Sequence, residues 1–543
     1  FNDIHTLGLT LMQSAEHYRT ESLDVRAYET KFPTALWYSV GDSDTSRSSI
    51  GSGFNQQQRA SYMGRLNYNL MDKYLLTVTG RWDGASMLAK GNKWDFFPSM
   101  ALAWKLNKEK FFSELNWLSE LKFRLGYGVT GNASISSYQT GGTMESQYAN
   151  IPFGQGGGTT SAVGAKAVVL PNRELAWEKT ASTNIGLDFG LLNNRITGSL
   201  EYYVSKTSDL LLNRSIPMMT GYVSIISNVG KTQNKGFELT LSTVNINTKN
   251  FTWKTDFTFF TNSEKIIELA DGRNDDPANG WFVGRAIDEV WTKKFDRLWQ
   301  NTPEDKKLLA VYKANSITMF PGQAKIVDQP FIEVPQGTEG AITKKVNIDG
   351  IEQEVTYLDN GFGKIDNDDN HFLGSFRPKW EGGFTSTFIW KNWELNTFIY
   401  GRFGGLYYGL LQTYGSRIEK DVWSENNTSG KFPQPRSGGE AYTSYQDYQK
   451  IAYLLPMILI ILMMPNIPEK KIKKLGISNC SVYAQVLNPF IFGGELVKAG
   501  INPDDVTGWK PSSVANGDYR YAGGQTNNTM LTRSLVFGLR LGF

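Results

Sequence analysis

The stretch LDNGFGKIDNDDN, residues 358–370, sets acidic and amide oxygens at short intervals around a central glycine. That is the pattern of a calcium loop, in which oxygen ligands recur at fixed positions and the sixth position is glycine. With Gly363 at the sixth position, Asn360 falls at the third and Asp369 at the twelfth. Leu358 and Phe362 then occupy the first and fifth, where oxygens are required. The match is partial. Asn360 and Asp369 are the candidate ligands, and an ordinary polar loop accounts for the same residues. A second glycine-rich stretch, GQGGGTT (154–160), lacks the lysine that a phosphate-binding loop needs. His5, His17 and His371 are the only histidines, and none lies in a nucleophile or acid–base motif. Cys480 is the single cysteine, so no internal disulfide can form, and it reads as an ordinary strand residue. No enzyme, cofactor or His-based metal centre is expected.

The elements that carry these loops are strands. Apolar and polar residues alternate repeatedly, the signature of a strand with two unlike faces. In YLLTVTGRW, Tyr74, Leu76, Val78 and Trp82 share one face while Thr77, Thr79 and Arg81 share the other. LKFRLGYGV sets Phe123, Leu125 and Tyr127 against Lys122 and Arg124. FTWKTDFTF and WELNTFIYGRF repeat the pattern. A soluble antiparallel sheet also alternates, but these runs match the 9–11 residues of a tilted membrane strand rather than the usual 5–6. Trp82, Trp104, Trp253, Trp390 and Trp393 sit near strand ends, as interfacial girdles require. The mean hydropathy of −0.35 agrees, because half of each barrel strand faces water.

Fifteen strands are predicted, at 5–18, 23–40, 58–69, 73–83, 97–106, 121–131, 182–191, 195–205, 234–243, 251–262, 382–391, 393–403, 451–464, 479–490 and 533–543. The most apolar of them contains YLLPMILIILMMP (453–465). It is too short for a spanning helix of about 20 residues, and Pro456 interrupts it. It fits a membrane strand, although its inner positions depart from the alternation of the rest.

Connections differ in length. Those near 70–74, 191–196 and 390–393 are tight, whereas 132–181, 206–233, 263–381, 404–450 and 491–532 are long. Outer-membrane barrels have short periplasmic turns and long extracellular loops. The basic EKKIKK turn falls with the short set. The 263–381 loop carries Trp281, Trp291 and Trp299. These are candidates for ligand or partner contact, since tryptophans anchor interfaces, or for the core of the loop's own fold.

The chain ends in SLVFGLRLGF. Leu535, Phe537, Leu539, Leu541 and Phe543 form one apolar face, opposite Ser534, Gly538, Arg540 and Gly542. A terminal Phe closing such a strand resembles the assembly signal of outer-membrane barrels. The chain opens FNDIHTLGLT, with neither an initiator Met nor a signal peptide, and reads as a processed or partial chain. With 56 basic and 53 acidic residues, it carries no electrostatic footprint for nucleic acid.

Several long blocks carry a family resemblance. They are GRWDGASMLAKGNKWDFFPSMALAWKL (80–106), LKFRLGYGVTGNASISSYQT (121–140), LAWEKTASTNIGLDFGLLNNRITGSLEYYVSKTSDLLL (175–212), NVGKTQNKGFELTL (228–241) and FLGSFRPKWEGGF (372–384). With the terminal strand, they resemble the SusC/RagA family of TonB-dependent outer-membrane transporters over almost the whole chain. The resemblance implies an all-β transmembrane antiparallel barrel of about 22 strands. It implies energised import of oligosaccharides or oligopeptides across the bacterial outer membrane, under a SusD-like lipoprotein lid and driven through TonB. Neither a plug domain nor a TonB box is visible, and fifteen is odd where such barrels have even counts. Residues 1–543 are therefore expected to be the C-terminal part of the barrel, in contact with outer-membrane lipid. A barrel enzyme or a passive or secretion pore is the alternative.

Overall fold

A computed structural model describes residues 4–542, except for 29–33, 35–37, 39, 41–42, 45–46, 113, 150–161, 223, 270–271, 273, 278, 408–421, 431–432, 435–448, 464–478, 495–496 and 498–532. Two compact units divide the chain. One comprises 1–194, 199–235 and 266–274, and the other 195–198, 236–265 and 275–543.

In the first unit the long strands are β1 (His5–Arg26), β2 (Ser49–Leu70), β3 (Tyr74–Ala85), β4 (Trp94–Lys105), β5 (Leu118–Asn132), β6 (Glu178–Leu191) and β7 (Ile196–Ser208). Neighbours in the sequence are neighbours in the sheet. In the second unit they are β8 (Lys231–Asn247), β9 (Phe251–Glu268), β10 (Trp380–Trp390), β11 (Trp393–Tyr407), β12 (Gln449–Met463), β13 (Asn479–Leu487) and β14 (Ser534–Gly542), again in chain order.

The alternation decides the faces. Tyr62 lies opposite Trp82, Tyr74 opposite Trp104, and Trp390 opposite Trp393. Because side chains repeat every two residues, each pairing keeps the apolar face continuous across the hairpin. Leu7, Leu9, Leu11, Trp82, Phe96, Trp390, Trp393, Leu535, Phe537 and Leu539 are all exposed, which is the outward face of a membrane strand. No described helix is long and apolar enough to cross a membrane.

The tight turns are left-handed. Leu192, Asn193 and Asn194 have φ of 54°, 55° and 60°, and Met71 and Asp72 have 56° and 52°. Asn and Asp tolerate that region best among side-chain-bearing residues. In the first unit, connections 27–48, 86–93, 133–177 and 209–230 lie at one strand end, and 71–73, 106–117 and 192–195 at the other. In the second, 269–379, 408–448 and 488–533 alternate with 248–250, 391–392 and 464–478.

One strand expectation is corrected. The segments 5–18 and 23–40 are not two strands. A single strand runs to Arg26 and pairs residue by residue with the whole of β2, from His5↔Leu70 to Arg26↔Ser49. The polar run Arg19–Ser22 contains neither Gly nor Pro and no turn forms there. Fourteen long strands result among the described residues, and the argument from an odd count falls with the fifteenth. Of the terminal signal, Leu535, Phe537, Leu539 and Leu541 share the exposed face of β14, while Phe543 lies outside the described residues.

Candidate functional site

Within the long connection 269–379, the part in the second unit (275–379) has a hydrophobic core of its own. Helix α1 (Pro303–Ala314) opens with Pro303 at its first turn, and the Thr302 side chain accepts the Asp305 amide at 3.2 Å. Both features satisfy or remove amides that a helix start leaves without partners. The strands Ala341–Ile348 and Ile351–Leu358 form a hairpin. Asp349 and Gly350 turn it at φ of 52° and 88°, the two positive angles that a two-residue turn demands. Between helix and hairpin lie Trp299, Tyr312, Val346, Val355, Tyr357 and Phe362, all buried.

Trp299, one of the three candidate tryptophans, is 1% exposed and forms part of that core, edge-on to Tyr312. Trp291 is half-buried and packs edge-on against Phe282, which meets Phe372 in turn. Arg285 stacks over Phe372 at 3.9 Å. Trp281 is half-buried and makes a bridge with Asp276.

Most ion pairs of this loop are exposed, such as Lys306 with Asp349 and Lys307 with Glu333, but one has a buried carboxylate. Arg297 grips Asp305 from two nitrogens, at 2.6 and 2.7 Å, and the Gln300 amide adds a third bond at 2.8 Å. Burial alone would raise the Asp305 pKa, but the Arg297 guanidinium and that amide outweigh it and hold the carboxyl below its ordinary range. Asp369 behaves oppositely. Burial, with Asp328 nearby, pushes its pKa up, against the Asp366 amide that bonds its Oδ2 at 2.9 Å. Among the described residues its Oδ1 has no hydrogen-bond partner. Asp328 accepts the Tyr312 hydroxyl and the Gly363 amide. Lys293 is buried, donates to Asn370 Oδ1 at 2.7 Å, and has its pKa lowered by burial.

The partial calcium motif is put to structural use. Asn360 donates to the Pro330 carbonyl at 2.7 Å and accepts the Phe362 amide at 3.1 Å. Asp369 closes the short helical turn Asn367–Asp369 in a reciprocal cap with Asp366. Among the described residues, no group of three or more His, Cys, Asp or Glu is arranged to hold a metal ion.

Two tryptophans outside the sequence-based candidates bind loops together. Trp423, 2% exposed, donates to Gln300 Oε1 at 2.9 Å and lies on Gly322. Any Cβ at Gly322 would come within 2.3 Å of the indole, and its φ of +82° also favours glycine. In the first unit, Trp177 donates to the Lys93 carbonyl at 3.1 Å and packs edge-on against Phe97. Trp177 stood in a quoted block but carried no pattern of its own.

On the face opposite the apolar one, the strand walls are charged. Arg124 on β5 forms two bonds with Asp188 on β6, at 2.9 and 2.7 Å, and one with Glu201 on β7 at 2.6 Å. Lys122 meets Asp188 at 3.3 Å, and Asn184 donates to Glu201. On β10 and β11, Glu381 pairs with Arg402 at 2.8 Å. Such a wall is wettable and suits a polar lumen.

Comparison with known proteins bears on this arrangement. A family model described as TonB dependent receptor-like, beta-barrel, matches residues 2–299. A TonB-dependent receptor of Formosa agariphila is 31% identical over 487 residues, covering 87% of this chain and 45% of that protein. The TonB-dependent receptor SusC of Bacteroides thetaiotaomicron is 32% identical over 458 residues, 81% of this chain and 42% of its own length. Among solved structures, the RagAB peptide transporter superposes with a TM-score of 0.68 at 20% identity, covering 99% of this chain and 53% of that one. At that identity the likeness is one of fold. The chain spans about half the length of the curated relatives it matches.

Proposed function

The chain belongs to the TonB-dependent receptor β-barrel family of the outer membrane, and on that premise we propose that it is the C-terminal barrel part of an energised importer of oligosaccharides or oligopeptides. In this reading a plug domain and a TonB box belong to the same protein beyond these residues, and a SusD-like lipoprotein docks at the long-loop end. The chain acts by binding and passage rather than by bond-making. His5 bonds the Tyr68 hydroxyl and His371 the Asp369 carbonyl.

The observation that supports this reading most is the inequality of the two strand ends. One end of the second unit carries turns such as Lys391–Asn392, while the other carries a loop with a helix, a hairpin and a hydrophobic core. Long ordered loops on one side are where binding function concentrates. The charged inner wall gives hydrated, multi-hydroxyl or multi-amide solutes a surface on which to exchange hydrogen bonds. Glycan and peptide are the two substrate classes to separate; the structure of similar fold is that of a peptide transporter.

The test is uptake by cells carrying or lacking the full-length gene, fed pooled oligosaccharides or pooled oligopeptides. Loss of uptake of one pool on deletion, and equal loss on collapse of the proton-motive force, is expected. Uptake that survives collapse of the gradient would make the protein a passive pore.

A further inference from the structure

Two depressions open to the surface, of 460 and 580 Å³, lie one above the other on the outward face of β1 to β3. The register identifies that face. Leu7, Leu9 and Leu11 on β1 oppose Tyr68, Leu66 and Gly64 on β2, and Gly64 in turn opposes Gly80 on β3. The next outward row is Gln13, Tyr62 and Trp82, and the row beyond it is Ala15, Ala60 and Gly84.

The lower cavity has the Gly64–Gly80 pair in its floor and Leu11, Tyr62, Trp82 and Phe96 in its walls. The Phe96 ring leans so far over Gly80 that a Cβ there would be 3.0 Å from it. The upper cavity has Ala15, Ala60 and Gly84 in its floor. Trp94 lies over Gly84, stacks on Tyr62 at 6.0 Å and stands edge-on to Trp82 at 6.1 Å. His17, Gln58, Ser86 and Lys93 border the upper cavity. Glu16 and Arg59 also border it, from positions that alternate to the inner face, where they are cross-strand partners.

The column therefore changes chemistry along its length. Toward the short turns it is apolar. An aromatic tier of Tyr62, Trp82 and Trp94 follows, and then a polar rim with Lys93 and His17. Aromatic tiers of this kind mark the level of lipid headgroups. Phe96 and Trp94 cover Gly80 and Gly84, whereas Gly64, Ala15 and Ala60 leave the outward surface low between Leu11 and these rings, and the rim places a cation where a headgroup phosphate would lie. We propose that this column is a lipid site. It takes one phosphorylated lipid of the outer leaflet, with an acyl chain in the lower cavity and the phosphate at Lys93 and His17. The assignment rests on the outer-membrane family and on the outward face, not on which substrate is imported.

The experiment uses the full-length receptor in nanodiscs of phosphatidylcholine doped with monophosphoryl lipid A, with retained lipid counted by native mass spectrometry. Both leaflets carry the probe, so the result does not depend on which way the loops face, nor on transport. Wild type should retain one probe lipid. Lys93→Ala should reduce its apparent affinity about fivefold, the effect of one basic side chain at an anionic headgroup layer. Ala60→Leu, which fills the floor, should abolish retention. Ala15→Leu, on the exposed part of the same floor, should do likewise if Ala60→Leu fails to assemble. Lys90→Ala, in the same loop but outside the cavity lining, should bind as wild type does. Equal losses in Lys93→Ala and Lys90→Ala would reduce the effect to general surface charge and overturn the site. So would full retention in the filled variant, or displacement of the lipid by inorganic phosphate alone.

Discussion

Arg297 holds Asp305 from two sides of one guanidinium, and through it ties the strand Phe295–Leu298 to the first turn of α1. The carboxyl side chain is 2% exposed whereas that of Arg297 is 43% exposed, so water reaches one partner and not the other. Removing Arg297 leaves a buried carboxylate with its amide bond only. A fully buried pair broken this way costs about 3–5 kcal/mol. With Arg297 partly solvated, we expect about 2 kcal/mol for Arg297→Met. Limited proteolysis of the 269–379 loop in the full-length protein checks it. The pH dependence has a definite sign. A carboxyl with a depressed folded pKa stabilises the fold above the unfolded carboxyl range, near 4. That stabilisation is lost as pH falls through the folded value. The difference between Arg297→Met and wild type should therefore narrow below about pH 4.

Asp369 predicts the opposite pH response. Burial raises its folded pKa, so folding favours the protonated form more than the unfolded chain does. Its contribution is full below the unfolded carboxyl range and is lost as pH rises through the folded value. Asp369→Asn keeps an oxygen for the Asp366 amide and removes the charge. Hydrogen exchange across 366–371 should slow in the variant at neutral pH and match wild type under acid. Faster exchange in the variant at neutral pH would show that the charge is needed.

The parts of this structure that were legible in the sequence are those that repeat with period two under a membrane constraint. The β14 face of Leu535, Phe537, Leu539 and Leu541 is one, and the paired tryptophans at Trp390 and Trp393 are another. Lipid demands apolarity at every second position, so the signal is strict. The top of β1 was misread because Arg19 to Arg26 lies beyond that constraint. Both of its faces are exposed and either may be polar. Of the loop core, Trp299 was legible as a residue of the loop's own fold, whereas its partners were not, for a different reason. Trp299, Tyr312, Val346 and Tyr357 come from four segments with no shared period. The Asp349–Gly350 turn had a readable signature; the site of Trp423 on Gly322 is a long-range contact and had none.

Trp423 gives a prediction of that kind. Its indole fills the space above Gly322 and bonds Gln300. Truncating a buried tryptophan costs about 3–5 kcal/mol. Trp423→Ala should free 422–430 from the 269–379 body and open both to protease, while outer-membrane assembly stays at wild-type levels. Loss of assembly would mean that the contact is needed before insertion.

The terminal strand carries a test of membrane geometry. Leu539 pairs with Val482 in the middle of β14, and both are exposed on the apolar face. Leu539→Arg should cost about 2–4 kcal/mol if this level lies near the bilayer midplane. Deleting Phe543 should lower the amount of assembled barrel without altering the strand face. Heat-modifiability on gels, read after outer-membrane fractionation, measures both. Wild-type assembly of both variants would remove β14 from the lipid wall.

Sidedness can be tested on whole cells. In the second unit β9 and β10 are bounded at one end by the tight turns 248–250 and 391–392, where Lys391 has a φ of 51°. At the other end the chain runs for the length of a small domain between β9 and β10. A domain with its own core must lie in water, and in this family the long loops are expected outside. The cut is expected at the hairpin tip, where Ile351 is 69% exposed. Protease added to intact cells and peptides read by mass spectrometry should yield fragments from 269–379, most readily when the proposed SusD-like lipoprotein is deleted and the loop end is bare. Restoring the lipoprotein should protect that tip if it docks there. Fragments from 71–73, 192–195 or 391–392 alone, with 269–379 intact in both strains, would invert the topology and remove the basis for a docked lid.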